Sequence, residues 1–190
     1  MPYNYFQYWT KEIYKRKQRL QAHSIVRRSR RKGIGIQEYV NLLNTHIREP
    51  YTDVLEAGCG WGRYIKNYPF CGVDINLNRL KIAKRHKSTV IRGDLTHLPF
   101  KDKSFEASYT IQVLMHIPNT HIKQALKEFI RVTRERILHI EVYSTKKRRL
   151  AGHCFNHNLK QLYHNLGINS IYYKRLASYK TQICVVLKVK

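Results

Sequence analysis

Short apolar runs alternate along this chain with stretches whose apolar residues recur every three or four positions. The runs at 52–56, 70–74, 89–92, 107–111, 136–142, 169–176 and 181–189 predict seven strands. Between them, 76–85 opens on Asn76, a residue suited to capping, and predicts a helix. Residues 119–133 predict another, with Ile122, Ala125, Leu126, Phe129 and Ile130 at helical spacing. Residues 37–47 and 159–166 give two more, the second stopped by Gly167, and 63–67 a short one. At the N-terminus, over about 4–30, Phe6, Trp9, Ile13, Leu20 and Ile25 roughly share one helical face. Strands and helices in alternation predict an α/β fold. The chain divides into a basic, aromatic-rich helical extension at 1–35, read as a lid, and a single domain at 36–190.

The junction after the first strand carries the chemistry. Val54-Leu55-Glu56-Ala57 runs into Gly58-Cys59-Gly60-Trp61-Gly62, with glycine at every second position. A strand entering so many glycines implies backbone turning tightly beneath a ligand, where any Cβ would intervene. Twelve residues past the last glycine, Asp74 ends the second apolar run. Strand, glycine loop, helix, strand and acid is the layout of a nucleoside-binding half-fold. A dinucleotide is disfavoured. Its G-x-G-x-x-G spacing is not kept, Arg63 stands where that pattern wants Gly or Ala, and Glu56 would repel a pyrophosphate.

The run Glu56 to Gly62 resembles motif I of the class I S-adenosylmethionine-dependent methyltransferases, the type-11-like group in particular. Other landmarks follow in order: Gly93-Asp94, Leu98-Pro99-Phe100, Asp102 to Glu106, Gln112 to Pro118, and Arg131-Val132. The resemblance covers roughly 51–143. It implies a Rossmann-like, doubly wound sheet of seven mostly parallel strands, the last antiparallel, with helices on both faces. It implies S-adenosyl-L-methionine as cofactor, with Glu56, Gly58, Cys59, Gly60 and Gly62 under its methionine part. Asp74, followed by Ile75, would bind the ribose hydroxyls, Asp94 and Leu95 would lie by the adenine, and Gln112 would line the methyl-transfer end. The strand-five entry departs from the family, with Thr133-Arg134-Glu135-Arg136 in place of a Pro-Gly-Gly turn.

Charge adds a second clue. The chain has 36 Lys and Arg against 12 acids, net +24. Residues 1–35 hold ten bases and one acid, and 144–190 hold ten bases and none. Such a balance favours an anionic partner, whether a small molecule, a glycan or RNA. Tyr3, Tyr5, Phe6, Tyr8, Trp9 and Tyr14 interleave with N-terminal bases, either as a stacking platform or as the inner face of the lid. The scattered cysteines (Cys59, Cys71, Cys154, Cys184) form no C-x-x-C pair and fit a reduced, cytoplasmic setting. No apolar stretch predicts membrane insertion.

Transfer of a methyl group from a sulfonium mainly requires positioning, and a base only where the acceptor loses a proton. His116, at a family position near the acceptor and expected to titrate near neutrality as a general base would, and Glu141, in the fifth strand, are the catalytic candidates. Trp9, Tyr143, His153 and His157 are candidates for touching the substrate. The run His153-Cys154-Phe155-Asn156-His157 invites a metal reading, but no second ligand pair lies at matching spacing, so none is assigned. The chain lacks the N/D-P-P-Y/F motif of amino-methyltransferases and the Pro-Cys loop of cytosine-C5 enzymes. Three functions stay open: a methyltransferase on an anionic small-molecule or glycan-type acceptor, which is favoured; a tRNA or rRNA methyltransferase using the basic ends; and a non-catalytic binding subunit.

Overall fold

A computed structural model describes residues 5–10, 34–48, 51–64, 71–86, 89–143, 153–177 and 182–189. All seven expected strands are present: β1 (Val54–Ala57), β2 (Cys71–Asp74), β3 (Val90–Arg92), β4 (Phe105–Ile111), β5 (Thr133–Val142), β6 (Ile171–Arg175) and β7 (Gln182–Lys188). They form one sheet in the order β3-β2-β1-β4-β5-β7-β6. The first five run parallel, and β7 lies antiparallel to both β5 and β6. The sequence order reverses between β1 and β4, and there the two chain directions diverge to leave a crevice at the strands' carboxyl ends.

The strands alternate their side chains between two cores, as their period of two requires. From β7, Ile183, Val185 and Leu187 join one core, and Cys184 and Val186 the other. On the first face lie α4 (Asn119–Val132) and α5 (Leu159–His164), through Ile122, Leu126, Phe129, Leu159 and Tyr163. On the second lies α2 (Ile34–Leu43), continued by a π-helical turn (Asn44–Arg48), through Tyr39, Leu43 and Ile47. Each fully buried side chain of this size contributes about 1.5–3 kcal/mol. Helix α3 (Leu77–Ala83) follows β2, capped as expected by Asn76, whose side-chain oxygen accepts from the Arg79 amide at 3.1 Å. A short helix α1 (Tyr5–Thr10) precedes them all. The rest of the expected N-terminal helix, residues 11–30, lies outside the described residues, as do 65–67 of the helix expected after the glycine loop. Residues 63 and 64 of that helix lie in a turn that spans 61–64. Among the described residues no helix is long and apolar enough to cross a membrane.

Three of the sequence landmarks prove to be one structural unit. Arg131, at the end of α4, donates to both carboxylate oxygens of Glu128 (2.8 and 2.7 Å). The same guanidinium donates to the carbonyls of Leu98 (3.0 Å) and Phe100 (2.7 Å) and to Asp102 (2.8 Å). Glu128 in turn accepts from the Leu98 amide at 2.7 Å. The fork of the guanidinium thus fixes the loop between β3 and β4. Arg131→Ala is expected to destabilise the fold by roughly 2–3 kcal/mol, the loss of several charge-assisted bonds at once. A urea midpoint equal to that of the wild type would contradict this role.

Candidate functional site

Gly58, Gly60 and Gly62 all have left-handed backbones, with φ of 76°, 56° and 76°. The loop folds back on β2: the amides of Gly58 and Cys59 both donate to the Val73 carbonyl, at 2.7 and 3.0 Å. A Cβ on Gly58 would stand 2.5 Å from the Val113 side chain, so glycine there serves both the turn and the close approach of the β4 loop. The Gly60 amide donates to Asp74 Oδ2 at 2.9 Å, and the Asn76 amide to Oδ1 at 2.8 Å. Asp74 is buried, and that burial pushes its pKa up against the opposing pull of Arg79 and the two amides. Asn76 also donates from Nδ2 to the Trp9 carbonyl at 2.6 Å, fastening α1 to the start of α3. The Arg79 guanidinium lies 5.4 Å from the Trp9 ring and 5.6 Å from that of Trp61, within cation–π range of both.

Between these parts lies a cavity of about 190 Å³. Six of the residues assigned to the cofactor line it: Gly58, Asp74, Ile75, Asp94, Leu95 and Gln112. Trp9 and His116 line it as well. Asp94 also closes a local turn, accepting from the amide and hydroxyl of Thr96, both at 2.9 Å. Glu56, buried in β1 between β2 and β4, and Cys59, also buried, are not among the lining residues, nor are Gly60 and Gly62. Two lining residues escaped the sequence reading, Arg79 and Ile111, while Val113 and Ile117 lie within the Gln112–Pro118 landmark. Arg79 had a signal, since helical Cα–Cβ bonds tilt toward the N-terminus and a long side chain in the first turn after Asn76 reaches back over the helix start. The wall pairs a buried carboxylate with apolar Ile75 and Leu95, and glycine where a Cβ would intrude. Such a wall suits a nucleoside with free ribose hydroxyls, and S-adenosylmethionine fits it.

Glu141 requires a correction. Expected to face an acceptor, it is 2 % exposed and is not on the cavity wall. Both its carboxylate oxygens accept from the Val113 amide at 3.0 Å, and Oε1 also accepts from the Thr110 hydroxyl at 2.7 Å. Because the Thr110 proton goes to Glu141, its oxygen accepts from His139 Nδ1 at 2.8 Å; His139 Nε2 then accepts from the Tyr163 hydroxyl at 2.7 Å. This buried chain anchors the turn at 112–117, and Glu141 is a positioning residue. Gln112, at φ 59°, opens that turn in a strained conformation for a residue with a side chain.

His116 sits on a short 3₁₀ turn (Leu114–His116) within an aromatic cluster. Its ring centroid is 4.4 Å from that of Trp9 and 5.5 Å from that of His153, which stacks on Tyr8 at 5.0 Å. Expected to titrate near neutrality, His116 is instead pushed down to about 4, chiefly by burial, with the charges of His153 and Arg79 adding to it. It is therefore neutral at physiological pH and a weak base. The remaining substrate candidates separate. His157 is buried and pairs through Nε2 with the Ile117 carbonyl at 2.9 Å, and Tyr143 packs edge-on against Tyr173 at 6.1 Å. Neither lines the cavity, nor does His153, so Trp9 is the one substrate candidate on its wall.

The Glu141 anchor yields a pH prediction. Burial pushes its carboxyl up to about 7, so the folded chain holds this proton more tightly than the unfolded chain does. Its contribution to stability is therefore lost as pH rises from about 4.5 to 7. His116 and His139, pushed down to about 4 and about 3 mainly by burial, act oppositely and lose their contribution as pH falls below 6.5. Glu141→Gln removes only the first effect. Its stability relative to wild type should rise by on the order of 3 kcal/mol across that window in urea denaturation at stepped pH. A difference independent of pH would contradict the assignment.

Residues 55–136 match the family described as "Methyltransferase domain". Over 85 residues the chain is 33% identical to a tRNA (carboxymethyluridine(34)-5-O)-methyltransferase of Arabidopsis thaliana, covering 43% of this chain and 21% of that protein. Over 88 residues it is 36% identical to a demethylmenaquinone methyltransferase of Paenarthrobacter aurescens, covering 43% of this chain and 34% of that protein. It thus spans well under half the length of these curated relatives. The structure of magnesium protoporphyrin IX methyltransferase from Synechocystis with bound SAH superposes over 82% of both chains, with a TM-score of 0.64 at 14% identity. At that identity the likeness shows the fold. Residues 55–136 are thus similar to a methyltransferase domain, and the chain shares the fold of the SAH-bound magnesium protoporphyrin IX methyltransferase.

Proposed function

We propose that the chain binds S-adenosylmethionine in the cavity beside Asp74 and transfers its methyl group to an anionic small-molecule or glycan-type acceptor. The observation that carries this reading is Asp74 itself. It is a buried carboxylate on the cavity wall, its two oxygens aimed by the Gly60 and Asn76 amides. A carboxylate so held accepts hydrogen bonds from a pair of ribose hydroxyls without reorganising. Ile75 and Leu95 supply apolar surface for the adenine, and Asp94 an acceptor for its amino group. Gly58 lets the loop approach the methionine part, whose ammonium Glu56 would attract. Bound there, the sulfonium supplies an electrophilic methyl carbon. The protein's part is to orient it and to exclude water. Trp9 and His116 close the wall at that end, Trp9 carried by α1 as part of a lid. His116, neutral and weakly basic, orients the acceptor.

The net charge of +24 supports an anionic acceptor. A cavity partly covered by Trp9 of α1 favours one small enough to enter. RNA is the second reading, favoured by the basic segments 1–35 and 144–190 and by a relative that acts on tRNA. Incubation with methyl-labelled cofactor, separately with an anionic metabolite pool and with RNA, tests these readings. Label in the metabolite fraction that persists at high salt supports the first. Label in RNA that falls steeply with salt supports the second. No label in either pool would contradict both.

Asp74→Ala should weaken S-adenosylhomocysteine binding by about a hundredfold or more, from the loss of two hydrogen bonds to a charged acceptor. Calorimetry checks this, with circular dichroism confirming that the variant is folded. Retained affinity would remove the ribose role.

A further inference from the structure

Two segments remote in sequence meet beside the cavity. The stretch from His153 to His157 runs alongside the turn at 115–117, tied to it by the Phe155 amide donating to the Met115 carbonyl (2.7 Å) and by His157 on Ile117. This pairing brings His153 and Cys154 against His116. Cys154 Sγ lies 3.7 Å from His116 Nδ1. Counting one ligand atom each from His116, His153 and Cys154, all three lie within 4.8 Å of one another. Among the described residues this is the one such group of three His, Cys or acidic side chains.

The spacing has a chemical meaning. A tetrahedral zinc ion with a Zn–S bond of about 2.3 Å and a Zn–N bond of about 2.1 Å sets those two ligand atoms about 3.6 Å apart. The observed edge between Cys154 and His116 already matches, and the His153 ligand atom lies within 4.8 Å of both. Ligation through Nδ1 replaces the contact of His116 with the His153 carbonyl, at 3.2 Å. The donor set is one sulfur and two imidazoles, which suits zinc and disfavours magnesium or calcium. Three protein ligands leave a fourth position open, the pattern of catalytic rather than structural zinc. The surroundings support it: Trp9 packs on His116 and Tyr8 stacks on His153, holding both rings and limiting water. A thiolate ligand also offsets the repulsion between the metal and nearby Arg79.

We propose that His116, His153 and Cys154 form a mononuclear divalent metal site, zinc above all, beside the cofactor cavity whose wall His116 shares, where the open position takes the acceptor's nucleophilic oxygen or sulfur. The metal role rests on the methyltransferase reading; the metal site itself does not. Coordination lowers the acceptor's pKa, so its proton leaves to solvent and the bound oxygen or sulfur becomes the nucleophile. That atom forms a bond to the methyl carbon as the carbon–sulfur bond of the sulfonium breaks. The electron pair of the broken bond stays on sulfur, giving the neutral thioether S-adenosylhomocysteine. A metal here does what a weakly basic His116 does poorly.

Cobalt(II) is the probe, titrated into metal-stripped full-length protein under reducing conditions. The expected result is one ion per chain, with intense tetrahedral visible bands and a thiolate-to-cobalt charge-transfer band, displaced by zinc. Cys154→Ser should lose the charge-transfer band. Cys154→Ser and His153→Ala should each weaken binding by more than the roughly 10–100-fold that loss of a supporting partner causes. His97→Ala, a change at an exposed histidine outside the group, should leave it unchanged. No charge-transfer band in wild type, or binding unaltered in Cys154→Ser, overturns the site. S-adenosylhomocysteine calorimetry on the same preparations separates the two claims. Cofactor binding without cobalt binding sinks the metal site alone, and cobalt binding without cofactor binding sinks the methyltransferase reading while leaving the site standing.

Discussion

The carboxylate of Asp74 is the point from which the site is built. It ends β2 inside the protein, where an ionised acid is costly unless it is hydrogen-bonded. Its partners are the amide of Gly60, from the glycine loop, and the amide of Asn76, at the start of α3. One side chain therefore fixes the loop after β1 and the helix after β2 relative to each other. Asn76 extends the linkage, capping α3 through its oxygen and holding the Trp9 carbonyl through its nitrogen. The N-terminal helix, the glycine loop and the acid on the cavity wall thus share one short series of hydrogen bonds. Docking of α1 and shaping of the cofactor wall are for that reason the same structural event.

The opposite wall depends on a second buried acid, used differently. Glu141 receives the Val113 amide, the Thr110 hydroxyl and, through it, the series His139–Tyr163. Every polar group in this series has a partner, the condition under which a buried network adds rigidity instead of strain. Its outcome is a turn that presents Gln112, Val113 and His116 to the cavity. The two acids are alike in burial and opposite in use. One faces the ligand space while holding its own backbone; the other holds backbone alone.

Much of this was legible in the chain. Strand positions followed from apolar runs of the right length, and the tight turn of the loop from glycine at alternating positions. Asp74 could be placed because it closes a strand at a fixed distance from that loop. Glu141 could not be read correctly, because a lone acid in an apolar strand looks the same whether it faces an acceptor or receives backbone amides. Its real partners, Thr110 and Val113, are about thirty residues away in sequence, in reach only through the β4–β5 register. The near-neutral basicity expected of His116 failed for a related reason: burial and the charges around it come from separate elements. The meeting of His116 with His153 and Cys154 was hidden too. Their spacing of 37 and 38 residues matches no ligand motif, and only the pairing of two irregular segments closes it. Contacts within one element leave a period in the sequence, whereas contacts between loops leave none.

The central claim is that the cavity beside Asp74 is a site for S-adenosylmethionine. The most direct measurement is calorimetric titration of S-adenosylmethionine into the full-length wild-type protein, first cleared of any cofactor carried through purification. The account predicts saturable binding of one molecule per chain, competed by S-adenosylhomocysteine. A folded, monodisperse sample that takes up neither compound would contradict it.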